Sequence, residues 1–294
     1  MADGFARVRN ITDSCYGEGK NWESSWQKTP ALASTQTIWS DLSTAPGNPK
    51  PNYYVGAELA ATRMGGSDAN GAYLISSQGI YHGGDVSPNS KHLHKVLIGA
   101  RSATLIPAKF YLLDYLLFYP LVDMDSTDTQ TLINTATLPR YTTGAGVQAF
   151  LVATNPYIGG AKFFITYVNQ DGAERNSVVE VSNTSTFIGS LLHSGTAGTS
   201  GGPFIRLFGR DTGVRSITSI TFLSSNGGLA ALVLAKPLAV LSVPEITAYC
   251  EWDFLAMKPT LPRIYDGAYL NMLICPNGSM ATIPINGSLS VIWN

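Results

Sequence analysis

The sequence predicts an all-β protein, a β-sandwich body preceded by an extended N-terminal arm. Three observations carry that prediction. From residue 147 onward, short runs of β-branched and aromatic residues recur between clusters of Gly, Asn, Asp and Pro. One run, 229–235, is apolar throughout, so both of its faces must be covered, which takes two packed layers. The first 51 residues, by contrast, show no sustained period of 2 or 3.6 and are broken by Gly17, Gly19, Pro30, Pro46, Gly47, Pro49 and Pro51.

The arm, 1–51, holds three of the five tryptophans, Trp22, Trp26 and Trp39, and Tyr53 and Tyr54 follow it. Large aromatics on a weakly patterned segment act as anchors, so these five residues form the candidate interface. Either they dock on a neighbouring subunit or another surface, or the arm wraps its own body. Residues 53–66 fit a short helix or an extended edge, and 72–77 reads as a strand. Residues 95–98 and 103–106 read as short strands around Gly99. In 109–119 the leucines suit a helix, but the flanking Pro107 and Pro120 and the aromatic density favour a buried strand.

The rest reads as β. Residues 147–154 form a strand. Residues 162–168 form another, which turns at Asn169-Gln170-Asp171-Gly172 and returns over 177–181. Residues 216–223 and 229–235, joined by Ser225-Asn226-Gly227-Gly228, carry a strong hairpin signal. Residues 244–261 are a helix or a loop. Residues 269–274, 280–284 and 289–293, with turns at Asn277-Gly278 and Asn286-Gly287, predict a three-stranded meander. The domain division is an arm (1–51), a β-rich first lobe (52–140) and a sandwich lobe (141–294), the two lobes being separate or one body.

Charged residues make up 13% of the 294-residue chain, about half the ~25% of an ordinary soluble protein. Such a surface suits a protein largely covered by partners, or a β-protein with uncharged loops. The net charge of −1 and the scattered arginines argue against nucleic acid as a direct partner. No membrane span is expected, because the apolar windows 110–122 and 229–240 are short and carry Asp114 or Lys236. Met1-Ala2-Asp3-Gly4 leads into polar sequence, so no signal peptide is expected. Cys15, Cys250 and Cys275 make neither a disulfide framework nor a CxxC site, which points to synthesis in a reducing cytoplasm.

Catalytic constellations are thin. Gly198-Thr199-Ser200-Gly201-Gly202-Pro203 is similar to the nucleophile loop of trypsin-like serine proteases. That chemistry needs a His base and an orienting Asp before the Ser. None of His82, His92, His94 and His193 has the small-residue context of such a base, and Asp114 or Asp123 as the third member carries no weight. His92 and His94 are spaced for one face of a strand, but Lys91 and Lys95 flank them and no carboxylate or thiol lies near in sequence. Asp123-Met124-Asp125 starts like a calcium loop, yet Thr127, Asp128 and Asn134 break that pattern at its fifth, sixth and twelfth positions. The expectation is no catalytic residue, no metal and no cofactor, with hydrolysis through Ser200 as the minor alternative.

Several longer segments, taken together, carry a resemblance. They are Phe5-Ala-Arg-Val-Arg-Asn-Ile-Thr-Asp-Ser-Cys-Tyr-Gly, Pro46-Gly-Asn-Pro-Lys-Pro-Asn-Tyr-Tyr, Thr137-Leu-Pro-Arg-Tyr-Thr and Phe164-Ile-Thr-Tyr-Val-Asn-Gln-Asp-Gly, with Asp211-Thr-Gly-Val-Arg-Ser-Ile and Leu261-Pro-Arg-Ile-Tyr-Asp-Gly-Ala-Tyr-Leu. This ensemble, spread over most of the chain, resembles accessory structural proteins of tailed-bacteriophage virions, of the cement or decoration type. The resemblance implies a sandwich or jelly-roll-like body, no enzymatic activity, and a place on the outside of the capsid after synthesis in the host cytoplasm. It also implies a homo-oligomer, most simply a homotrimer, bridging neighbouring copies of the major capsid protein. Related modules occur in head fibres and tails, where they bind receptors or glycans, so that role is the alternative.

Overall fold

The computed structural model describes residues 8–30, 34, 36–44, 47–48, 54, 56, 58–65, 73–74, 79–184, 187–194, 201–246, 248–257 and 261–294. Strand accounts for 46% and helix for 6%, in three largely antiparallel sheets, so the all-β sandwich prediction holds. The strands are β1 (Asn21–Lys28), β2 (Ser40–Asp41), β3 (Gly47–Asn48), β4 (Thr62–Met64), β5 (Tyr73–Leu74), β6 (Lys91–Ala100), β7 (Ala108–Asp123), β8 (Gln130–Thr131) and β9 (Gln148–Ala153). Then come β10 (Lys162–Asn169), β11 (Glu174–Asn176), β12 (Glu180–Val181), β13 (Val214–Phe222), β14 (Leu229–Val243), β15 (Cys250–Asp253), β16 (Arg263–Ile264), β17 (Tyr269–Cys275) and β18 (Ile285–Trp293). The helical segments among the described residues are short: α1 (Val8–Thr12), which runs on into a π-helical turn over Asp13–Gly17, a 3-10 turn at Leu42–Thr44, and α2 (Phe254–Met257).

The body is organised around β7 and β14, which pair antiparallel from Leu229 opposite Asp123 to Val243 opposite Ala108. β7 comes from the 52–140 stretch and β14 from 141–294, and the two share one sheet along their full length. The strand reading of 109–119 is correct, and the strand runs on through Pro120. Proline cannot donate to a ladder, and the register skips there, between Ala230 and Leu232 of the partner strand. β17 flanks β7 from Lys109 to Tyr115, β4 flanks it at Leu117 and Phe118, and β9 flanks β14.

Period-2 alternation sends the side chains of this central sheet into different cores. Ala230, Leu232 and Leu234 join Phe163, Ile165, Ile217 and Phe222 of the sheet β11-β10-β13-β8. Phe110, Leu112, Met272 and Ile274 join Trp26, Leu93, Ile98 and Leu289 of the sheet β15-β6-β18-β1-β3. Ala231, Val233, Leu113, Tyr115 and Phe150 join Trp39, Tyr54 and Leu191 in a third cluster. The apolar run at 229–235 is thus explained, since residues Ala230 to Ala235 are all fully buried.

The individual strand readings hold better than their pairings. The predicted hairpin of 216–223 with 229–235 does not form: β13 belongs to the β10 sheet and β14 to the central sheet. Gly227 and Gly228 do adopt positive φ (63° and 77°), but the segment passes between layers. A Cβ on Gly228 would come within 2.2 Å of the Pro156 carbonyl oxygen. Asn226 ties this crossing down: its Oδ1 accepts from the Gly159 N–H at 2.8 Å. The C-terminal meander is corrected in the same way, because β17 lies in the central sheet and β18 in the β6 sheet. Asn286-Gly287 is no turn but lies inside β18, where a Cβ on Gly287 would meet the Leu97 carbonyl oxygen at 2.1 Å. Close backbone approach is the other reason for a strand glycine. Residues 103–106 form turns rather than a strand.

Candidate interaction surface

The arm's aromatic residues do not share one environment. β1 pairs with β18 over all eight of its residues, from Asn21 opposite Ile292 to Lys28 opposite Ile285. Trp26 is therefore 3% exposed, packed in the first core. Trp39 is 4% exposed; its ring meets Tyr111 edge-on at 5.2 Å, and its backbone N–H donates to Ser194 Oγ at 3.0 Å. Tyr54 is buried beside Phe118. For Trp26, Trp39 and Tyr54 the expectation of free interface anchors is corrected: the chain's own cores cover them, as in the self-wrapping alternative. Trp22 remains available at 43% exposure, edge-on to the exposed Tyr81 at 5.7 Å. Tyr53 lies outside the described residues.

A polar knot that sequence reading missed fixes this segment to the central strand. Asp41 is buried, and its Oδ1 accepts from Tyr115 Oη at 2.7 Å and from the Ser43 N–H at 2.8 Å. The hydroxyls of Ser43 and Tyr54 donate to its Oδ2. Burial raises the Asp41 pKa, and the donated hydrogen bonds oppose that rise without cancelling it. Lys28 Nζ donates to the Leu42 carbonyl at 3.0 Å. Burial lowers the Lys28 pKa to about 7, against the pull of Asp41. A second buried pair sits mid-way along β7. Arg140 grips Asp114 bidentately (Nε to Oδ2 2.8 Å, Nη2 to Oδ1 2.6 Å) and also donates to the Tyr115 carbonyl at 2.9 Å.

Of the residues named for catalysis or metal binding, His193, His82, Asp114 and Asp123 have structural partners. Ser200 itself lies outside the described residues. His193 is buried, with Nε2 3.0 Å from the Pro203 carbonyl oxygen, and burial lowers its pKa to about 4. His82 is similarly lowered to about 4, first by burial and then by Lys91. Lys91 Nζ can only donate, so His82 Nδ1 accepts at 3.3 Å and its Nε2–H donates to the Ala268 carbonyl at 3.0 Å. The Asp123 loop is a local turn: Asp123 Oδ1 accepts from the Asp125 N–H at 2.9 Å. Among the described residues no group of three His, Cys, Asp or Glu side chains is placed to hold a metal ion, and no helix is long and apolar enough to cross a membrane.

No family model matches the chain, and no curated protein does. Two solved structures show a weak likeness. "Structure of infectious bursal disease virus Gt strain" is 11% identical, covers 93% of this chain and 81% of that one, and has a TM-score of 0.15. "Crystal structure of infectious bursal disease virus VP2 subviral particle" is 12% identical, covers 98% and 87%, and has a TM-score of 0.16. Similarity at that level carries no argument about fold or function.

Proposed function

We propose that this chain is a non-enzymatic structural protein of a tailed-phage virion, bound to the outside of the capsid as a cement or decoration protein. The observation that carries this reading is the set of sequence segments, from Phe5 to Leu270, that together resemble such proteins. The physical character of the chain supports it. The chain is a low-charge β-sandwich with three large clusters of buried apolar side chains, and large apolar side chains also remain on its surface. These include Ile158, Phe208, Leu223 and Met257, together with Trp22 and Tyr81. In this reading those surface side chains, rather than Trp26 and Trp39, are the contacts to the major capsid protein and to further copies of the chain. A homotrimer is proposed on the resemblance alone; sedimentation of the purified protein would show it.

The test is reconstitution. Heads lacking this chain are mixed with purified protein, sedimented, and heated alongside untreated heads. The proposal expects saturable co-sedimentation and a higher temperature of DNA release. Heads that neither retain the protein nor gain stability would overturn it. Placement as a head-fibre or tail receptor-binding module is the competing reading, and it expects binding at only a few positions per particle.

A further inference from the structure

We infer that the outer face of the sheet β15-β6-β18-β1 is a binding groove for a neutral oligosaccharide, bounded at its two ends by Tyr249 and Tyr16. The inward side chains of these strands fill the first core. Their alternates face outward, and the strand register lines them up in rows. Gln27 lies opposite Asn286, which lies opposite Gly99. In the next row Ser25 lies opposite Ser288, Ser288 opposite Leu97, and Leu97 opposite Glu251. Four strands at ~4.8 Å spacing make a floor roughly 14 Å wide. Two adjoining depressions lie over it, with volumes of about 460 and 440 Å³, and Glu23, Leu97 and Ser288 line both. Each falls within the ~300–1,000 Å³ typical of small-ligand sites.

The ends of the groove are aromatic. Tyr249 is 49% exposed and its ring lies against the sheet at Gly99, where a Cβ would come within 2.6 Å of ring carbon Cδ1. Only a glycine leaves that seat open. Asn286 Nδ2 donates to the Tyr249 hydroxyl at 2.6 Å, which fixes the ring. Tyr16, strongly exposed, lines the other depression.

The chemistry of the floor selects the ligand class. A sugar ring offers a C–H face that packs on an aromatic ring, and hydroxyls that both donate and accept hydrogen bonds. Ser25, Ser288 and Gln27 also do both. Lys95 is already paired with Glu251 at 3.1 Å and with Asp253 at 3.4 Å. Glu23 adds a further negative charge on the floor, which disfavours phosphate-bearing and nucleic-acid ligands. A protein partner would want a large apolar anchor at the centre of the contact. Here the centre is Leu97 beside Ser288, and the aromatics stand at the ends. Asn286, in the outward row of the floor, also carries an Oδ1 with no hydrogen-bond partner among the described residues. Such an unmet polar group suits a hydroxyl-bearing ligand.

The test uses the isolated full-length protein on an array of neutral glycans, followed by saturation-transfer NMR with maltotetraose, cellotetraose and chitotetraose. The inference expects binding to at least one neutral glycan. Tyr249→Ala should weaken it about tenfold, the loss of an aromatic platform plus its hydrogen bond. Tyr249→Phe should retain most of the affinity, Ser288→Trp should block the floor, and Lys162→Ala, exposed on β10 and outside the groove, should change nothing. Circular dichroism of each variant checks that the body is folded. Absence of binding to any neutral glycan at millimolar concentration, or binding indifferent to both Tyr249→Ala and Ser288→Trp, would overturn it. So would a Tyr249→Ala protein that loses self-association while the native protein binds no sugar, because the face would then be a protein contact. The assay contains no heads, so its failure is distinct from failure of the capsid reading.

Discussion

Deleting residues 1–50 should unfold this protein rather than free it from a partner. The deletion removes β1, which pairs with β18 along eight residues, and β2, which pairs with β17. It also removes Trp26 and Trp39, both buried, and Asp41, to which Tyr115 of the central strand donates. Truncating a buried Trp to Ala typically costs about 3–5 kcal/mol, so the two indoles alone amount to roughly 6–10 kcal/mol. Loss of the Asp41 knot leaves the Tyr115 hydroxyl buried without its acceptor, at a further cost of about 1–3 kcal/mol. A domain holds only about 5–15 kcal/mol in total. The 51–294 chain should therefore be insoluble, or lack a cooperative urea transition followed by tryptophan fluorescence and circular dichroism. The single change Trp26→Ala should lower the urea midpoint by about 1 M or more, given an m-value of up to ~3 kcal/mol per M. If the truncated chain unfolds cooperatively at the full-length midpoint, the packing of β1 and Trp39 described above is wrong.

Other outcomes follow from the buried charges and from Ser200. His82 and His193 have folded pKa values lowered from 6.5 to about 4, so they favour folding above pH 6.5 and this contribution is lost as pH falls through 4. At 1.36 kcal/mol per unit the loss is about 3 kcal/mol for each histidine, and His193→Gln should flatten the stability profile between pH 6.5 and 4. An unchanged slope in that variant would contradict the burial argument. Arg140→Met should cost about 3–5 kcal/mol because it strands the Asp114 carboxylate, and Asp114→Leu combined with Arg140→Met should recover much of that loss in thermal unfolding. Ser200→Ala should leave head binding intact, and a fluorophosphonate probe should not label the native protein; covalent labelling that disappears in Ser200→Ala would revive the hydrolase alternative.

Strand identity was legible because it depends on local pattern. The unbroken apolar run at 229–235 read as a strand covered on both faces, and that is where β14 lies. Which sheet each strand joins was not legible. Asn226-Gly227-Gly228 announces backbone at positive φ, and that serves a crossing between layers as readily as a hairpin. Asn286-Gly287 misled for a different reason: glycine can also mark close approach of a neighbouring strand. The arm's tryptophans told that large rings need covering, not which surface covers them. Asp41 gave no sequence signal, because its partners Tyr54 and Tyr115 come from separate segments. The groove on the outer sheet face was equally hidden, since Ser25 and Ser288 are unremarkable until the β1–β18 register sets them side by side.

The proposed place on the capsid is tested most directly by counting this chain in virus particles purified from cells that produce it. Quantitative mass spectrometry of DNA-filled heads stripped of tails should find it at a fixed, high ratio to the major capsid protein, and antibodies to the folded protein should label the head exterior. Its absence from such heads, or its recovery only with the tail fraction at a few copies per particle, would contradict the account.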